Sequence, residues 1–297
     1  MALNELTLKD KQLFRRYLNL SRHELCVFSF ENIYIWKPLF DIRWKIIQGR
    51  LCVFFKDKIG CFMYLPPLGE AVSLELIGEV FSVMDGLNQN PDVSRIENIE
   101  TREEKIYRKL GLTVKAKYSD YLCLRDELAG LTGNKFKSQR ASFNYFTKHY
   151  DFSCEELAAK HIPQCRKLFD LWFRQRASHQ ADPLYLGMLE DSRQVLKRLF
   201  SGYEKLSFQG IVVKTQNRIS GFTFGFKLNA DTFCIIYEIT DLSVKGLAQF
   251  IFRTFCQKLQ GFKYINIMDD SGLENLKNTK LAYHPAKLIA GYIATRI

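Results

Sequence analysis

Tyr264-Ile265-Asn266-Ile267-Met268-Asp269-Asp270-Ser271-Gly272-Leu273-Glu274-Asn275-Leu276-Lys277 is the stretch on which the reading of the fold turns. Its first four residues read as a short strand. Met268 to Gly272 reads as a turn, and a helix opens at Leu273. Ser271 and Glu274 have capping-box spacing, which predicts that the helix start is specified locally. The helix is expected to reach Lys280 and to end at Tyr283-His284-Pro285, with Ala286 to Ile297 as a closing strand. Two carboxylates, a lysine and a tyrosine therefore gather where the carboxyl end of a strand meets a helix N-terminus. Open α/β sheets bind ligands outside such strand ends. A solvated turn would carry the same residues.

Working outward, the second half reads as a helix at 153–177, a helix at 182–200, strands at 208–215, 219–228 and 232–239, and a helix at 245–259 before the quoted strand. The first half reads as a helix at 7–20 and strands at 27–36, 43–48, 50–56 and 60–65, with Lys56-Asp57-Lys58-Ile59-Gly60 as a hairpin turn. Pro66-Pro67-Leu68-Gly69 then breaks the chain. A helix at 72–87, a strand at 95–99, a helix at 101–110 and strands over 112–124 follow. The two halves share an element order without visible sequence identity, which predicts a structural duplication divided as residues 1–130 and 131–297. The second part includes a long basic helix over 133–150.

Composition narrows the classes. The chain has 297 residues, 47% of them hydrophobic, which allows one large domain or two smaller ones with real cores. No apolar run approaches eighteen residues, so no transmembrane helix is expected. Met1-Ala2-Leu3-Asn4-Glu5-Leu6 lacks the pattern of a signal peptide. The eight cysteines are scattered without a C-x-x-C, which reads as reduced thiols in a cytosolic protein. The five histidines show no ligand spacing, so no metal site is expected. The net charge of +11 is uneven: residues 1–132 hold 19 Lys and Arg against 18 Asp and Glu, the remainder 24 against 14. A basic second half points to an anionic partner, whether RNA, CoA phosphates or acidic lipid headgroups.

Within 133–150, basic residues (Lys135, Lys137, Arg140, Lys148) interleave with Phe136, Phe143, Tyr145 and Phe146, and Asn144 shares a face with Lys137. That pattern suits a phosphate-bearing ligand with stackable bases, and equally a helix packing its aromatics between domains. Glu238 closes the apolar strand Phe233 to Ile239, where a carboxylate can act as a general base or hold an ammonium group. Asp270 is a second such carboxylate or a helix cap. Lys280 can steady a carbonyl oxygen or a phosphate, or pair with Asp270. Tyr237 and Tyr283 offer hydroxyls or core packing. Ser243-Val244-Lys245-Gly246-Leu247-Ala248 keeps the G-x-A half of a pyrophosphate loop, with Gly246 at a helix start, but has Ser243 where Arg or Gln would lead. No Ser-His-Asp arrangement, G-x-S-x-G, Walker loop or dinucleotide-binding glycine loop is present.

The run from Asn266 to Pro285 resembles the closing motif of the phosphatidylglycerol lysyltransferase C-terminal-like family through Asn266, Asp270, Gly272, Leu276, Lys280, Tyr283 and Pro285. Lys277 stands where Arg is usual, and Asn275 where a second glycine is usual. Tyr118 to Leu122 with Gly133 to Arg140, Phe28 to Trp36, and Gly221 to Gly225 with Tyr237-Glu238 resemble three further motifs of the family, in order, along nearly the whole chain. The resemblance implies an α/β (α+β) fold of two tandem GNAT-like acyltransferase domains, with mixed, mostly antiparallel sheets flanked by helices. It implies kinship with Fem-type and lipid aminoacyltransferases, which use aminoacyl-tRNA. The expected activity is transfer of an aminoacyl group to an amine or hydroxyl acceptor such as a lipid headgroup. Glu238, Asp270 and Lys280 are the catalytic candidates. Lys135, Lys137, Arg140, Asn144, Tyr237, Gly246, Asn266 and Tyr283 are the binding candidates. The alternatives are an acyl-CoA-dependent N-acyltransferase, and a non-catalytic protein binding an anionic lipid or nucleotide. The expected location is the cytoplasm, in part at the inner face of the membrane.

Overall fold

Apolar residues over 41–56 form the hairpin the pattern predicts, and Asp57 fixes the next turn, into the strand that follows, by accepting from the amides of Ile59 and Gly60. The computed structural model describes residues 2–178 and 182–296 and divides into two units. Unit 1 comprises residues 1–120, 269–273 and 288–297, and unit 2 comprises 121–268 and 274–287.

The elements up to residue 124 are β1 (Asn4–Glu5), α1 (Lys11–Leu18), α2 (Phe30–Ile35), β2 (Asp41–Ile47), β3 (Arg50–Lys56), β4 (Cys61–Met63), α3 (Leu74–Asp85), β5 (Ile96–Glu100), α4 (Thr101–Lys109) and β6 (Thr113–Leu124). Strand β4 lies parallel to β5 through a single register pair, Met63 opposite Ile96, with α3 as the crossover. Phe54, Met63, Phe81, Met84, Ile96 and Tyr107 make the core of this unit.

The remaining elements are α5 (Arg125–Gly130), α6 (Lys137–His149), β7 (Phe152–Glu156), α7 (Ile162–Ala177), α8 (Pro183–Gly202), β8 (Gln209–Thr215), β9 (Arg218–Lys227), β10 (Thr232–Thr240), α9 (Leu247–Lys258), β11 (Tyr264–Asn266), α10 (Glu274–Leu281) and β12 (Lys287–Thr295). Strands β7 to β10 form an antiparallel meander. Strand β10 then lies parallel to β11 over 232–234, with α9 as the crossover. Phe146, Phe233, Ile235, Phe250, Ile251 and Phe255 anchor the core of unit 2.

Three expectations are corrected. In unit 1 the hydrogen-bonded strand order is β1-β2-β3-β4-β5-β12, and in unit 2 it runs from the end of β6 through β11-β10-β9-β8-β7, each mostly antiparallel. Strand β12 pairs with β5, and the end of β6 pairs with β11, so each closing strand completes the half it does not follow in sequence. Residues 30–35 are helical, not a strand: Ser29 accepts from the Asn32 amide at 2.9 Å and starts a helix whose six residues are all buried. An all-buried helix has no polar face, so its aromatic and β-branched content imitates a strand. Residues 152–156 are a strand ahead of α7, where one long helix was expected. All eight cysteines are thiols outside any disulfide, and seven are buried. No helix among the described residues is long and apolar enough to cross a membrane.

Candidate active site

The site of interest in unit 2 begins where β10 and β11 part. The two strands pair for three residues; β11 ends at Asn266 while β10 runs on to Thr240. Two residues past that pairing, β10 carries a bulge. Ile235 faces Gly225 and Tyr237 faces Phe224, so Ile236 is the extra residue. A bulge resets the alternation of side chains. Phe233 and Ile235 belong to the core against α9. Tyr237, which unbroken alternation would place with them, instead stacks on Phe224 and meets the hydroxyl of Ser192 on α8 at 3.2 Å. Thr223 Oγ1 donates to the Tyr237 carbonyl at 2.9 Å and fixes the bulged segment.

Glu238 is thereby turned toward α9. As a whole the residue is half-buried, but its Oε2 is enclosed and has no hydrogen-bond partner among the described residues. Burial alone pushes its carboxyl up to about 8. Cys256 on α9 and Tyr283 feel the Glu238 charge, and burial holds both protonated, well above their ordinary values. The Tyr283 ring packs 4.4 Å from Phe252 of α9. Tyr283 also feels Cys123, which in turn feels Lys280. Lys280 Nζ donates to the Ile267 carbonyl at 2.5 Å and lies 5.8 Å over the Tyr121 ring. Ile267 and Tyr121 complete the backbone ladder, with the Ile267 amide on the Tyr121 carbonyl at 3.0 Å. Lys280 thus fixes the exit of β11 while Tyr283, three residues on, faces the carboxyl of β10. Tyr121, Cys123 and Cys256 were not singled out from sequence; only Tyr121 carried a signal, as part of a family-like stretch.

Asn266 is fully buried and its Oδ1 accepts from the Met268 amide at 2.7 Å. The next residues are organised differently from the expected capping box. Ser271 has φ +52°, a left-handed conformation unsuited to an N-cap, and the helix starts at Glu274. Asp269 accepts from the Ser271 amide and hydroxyl, at 2.7 and 3.2 Å. Asp270 Oδ1 accepts from the Gly272 amide at 2.9 Å, and its carbonyl accepts from Leu273. Both aspartates therefore build the turn, and Asp270 falls in unit 1. Met268 and Ser271, neither a glycine, both take positive φ. Such strain persists only where surrounding bonds over-determine it. Gly272 has φ +73°, and a Cβ there would come within 2.8 Å of the Tyr118 hydroxyl.

The basic candidates on and before α6 divide. Arg140 Nη1 donates to the carbonyls of Leu131 and Gly133, closing the end of α5. Lys135 pairs with Glu127 at 2.6 Å. Lys137 and Asn144 are exposed. Gln139 Nε2 donates to the Ala282 carbonyl at 2.7 Å, and the Lys135 carbonyl meets His284 Nε2 at 3.0 Å, so the start of α6 grips the end of α10. Gly246 has φ +81° and faces α6; a Cβ there would stand 2.2 Å from the Ser142 carbonyl oxygen. With the Phe146 ring tilted against Phe250 at 4.6 Å, α6 covers the start of α9 where a pyrophosphate would otherwise sit. A cavity of about 460 Å³ in unit 2 is lined by Arg166 of α7, Phe200 of α8 and Tyr203 and Lys205 just after α8, among others, and by none of the candidates above. No metal-holding cluster of His, Cys, Asp or Glu exists among the described residues.

No curated protein sequence matches the chain. Its fold is shared by a conserved protein of unknown function from Bacteroides thetaiotaomicron VPI-5482, at 23% identity and TM-score 0.88 over 99% of each chain. The L-PGS from Bacillus licheniformis aligns at 16% identity and TM-score 0.66, over 99% of this chain and 93% of that one. FemX aligns at 9% identity and TM-score 0.64, over 100% and 98%. At these identities the likeness is one of fold. The sequence itself goes further: residues 18–295 match the family described as phosphatidylglycerol lysyltransferase, C-terminal, and the chain belongs to that family.

Proposed function

We propose that the chain transfers an aminoacyl group from aminoacyl-tRNA to an amine or hydroxyl acceptor such as a lipid headgroup, at the inner face of the membrane. The observation that carries this reading is Glu238: a carboxyl with one enclosed, unpartnered oxygen, placed by a bulge where two parallel strands part. A base with a value near 8 is well matched to a proton leaving an attacking amine. The acceptor's lone pair attacks the ester carbonyl and Glu238 takes the released proton. The ester C–O bond then breaks, and the departing tRNA hydroxyl takes that proton back. Tyr283, kept neutral by burial, donates to the developing oxyanion. Lys280 holds the strand exit, and Asn266 holds the backbone that follows it. The coverage of the α9 start by α6 favours a tRNA donor over acyl-CoA, because it occupies the position that would cradle the CoA pyrophosphate. Of Lys135, Lys137 and Arg140, Lys137 is then the one left to meet phosphates, since Arg140 and Lys135 are engaged in the fold.

Each unit repeats a strand, a crossover helix and a parallel strand: β4-α3-β5 and β10-α9-β11. We read this as a tandem GNAT-like duplication, residues 1–130 and 131–297, with the closing strands exchanged. The test is to incubate the purified protein with labelled aminoacyl-tRNA and vesicles containing phosphatidylglycerol, and to follow label into lipid and into soluble amines. Transfer that disappears in Glu238→Gln supports the reading. Absence of transfer by the wild-type chain across all charged tRNAs refutes it.

A further inference from the structure

Helices α7 and α8 form a hairpin. Arg193 of α8 reaches Asp170 of α7 at 3.5 Å and lies 5.4 Å over Phe173, so the two run back along each other. The hairpin is tied to β10, the Glu238 strand, at two levels. Ser192 meets the Tyr237 hydroxyl, and Gln175 donates to Asp241 Oδ1 at 3.2 Å while accepting from the Leu242 amide at 3.4 Å. The end of α7 and the loop after β10 therefore make one rim, to which the hairpin returns the start of α8.

That rim leaves apolar surface in water. Leu184 is 69% exposed and Leu242 is 43% exposed. Trp172, Tyr185, Leu186 and Met188 are only half-buried. The cations beside them are exposed Arg174, Arg176 and Lys245, and the Arg176 guanidinium lies 5.6 Å over the Trp172 ring. The two acids of the rim are both in local bonds: Asp182 accepts from the Leu184 amide, and Asp241 accepts from Ser243 and Gln175. Exposed leucines beside cations, one of them an arginine that lies over an aromatic ring, are the composition of a surface that sits in a lipid headgroup layer. A nucleic acid would be met by the cations and the aromatic but offers nothing to two exposed leucines.

We infer that the rim formed by Arg174, Arg176, Leu184, Leu242 and Lys245 docks the protein on an anionic membrane. The inference rests on the proposed lipid acceptor in one respect: docking there presents the Glu238 strand to the bilayer. It is tested without any transfer reaction. The full chain is mixed with vesicles of phosphatidylcholine containing phosphatidylglycerol, and with vesicles of phosphatidylcholine alone. Cosedimentation only with the first, weakening severalfold between about 50 and about 300 mM salt, is expected. Trp172 emission should shift to the blue on binding, and Trp172→Phe should remove that shift. Leu184→Asp with Leu242→Asp, and separately Arg174→Glu with Arg176→Glu, should each weaken binding by about tenfold or more, with unchanged thermal unfolding. Transfer to detergent-dispersed lipid should survive in the leucine pair, whereas transfer on vesicles should fall. Vesicle binding without transfer in the wild-type chain would refute the proposed reaction and leave the docking surface standing. No vesicle binding, binding insensitive to both double variants, or self-association through the two leucines would overturn the inference. So would loss of RNA binding, rather than vesicle binding, in the arginine pair.

Discussion

Replacing Glu238 with Gln keeps the shape of the side chain and removes its titration, so the buried carboxyl can be read through stability alone. Its folded value of about 8 lies well above the ordinary carboxylate value near 4.5. A raised carboxyl binds its proton more tightly in the folded chain than in the unfolded one. Its contribution is therefore fully present below pH 4.5, is lost as the pH climbs from 4.5 to 8, and then levels off. At about 1.4 kcal/mol per unit, the loss by pH 7 is on the order of 3 kcal/mol, an upper figure because local water entry relaxes the charge. The Gln variant carries no such slope. Urea unfolding of both proteins should give similar stability near pH 4.5, and by pH 7 the variant should be more stable by about 2–3 kcal/mol. The same variant should lose transfer while retaining donor binding within a few-fold, since stability and catalysis pull against each other at a buried charge. A variant less stable than wild type at pH 7, with the same pH slope as wild type, would show that the carboxylate is ionised and paired, and the assignment of Glu238 as the base would fall.

Gly246→Ala must place a methyl where the Ser142 carbonyl lies and must hold φ +81°, so thermal unfolding should show a loss of about 2 kcal/mol or more. Arg140→Ala frees two carbonyls at the end of α5 and should destabilise by about 1–3 kcal/mol, whereas Lys137→Ala should leave stability within about 0.5 kcal/mol and flatten the salt dependence of tRNA binding. Lys280→Met removes the bond to the Ile267 carbonyl, so amide exchange at Ile267 and Tyr121 should accelerate while the α9 core stays protected; unchanged exchange would mean that Lys280 does not hold the strand exit. Transfer by the wild-type enzyme should rise with pH through about 8 as Glu238 ionises, and a rate flat from pH 6 to 9 would count against it.

Much of this was legible from local pattern. The β8–β10 meander, α9, α8 and the β2–β3 hairpin follow from apolar periodicity, because each has one face or one run committed to a core. Gly272 was marked by a motif, and its positive φ beside Tyr118 gives the physical reason. Asp269 and Asp270 were correctly placed in the turn but given the wrong neighbours: the bonds run to amides two residues ahead, not through a Ser271–Glu274 box. Arg140 was read as a phosphate contact, yet its guanidinium binds the carbonyls seven and nine residues upstream that close a helix end, a use that no spacing reveals.

The sequence by itself determined most of the local elements, the place of the turn that follows β11 and the membership of the family, because those depend mainly on residues within a few positions of one another. The tertiary structure alone decided the rest. It exchanged β6 and β12 between the two halves, since either closing strand offers the same alternating edge and only long-range pairing selects the partner. It inserted Ile236 as a bulge and so turned Glu238, instead of Tyr237, toward Cys256 and Tyr283. One-residue shifts in register invert which side chains face a core, and a strand's own sequence does not say where its partner will be one residue short.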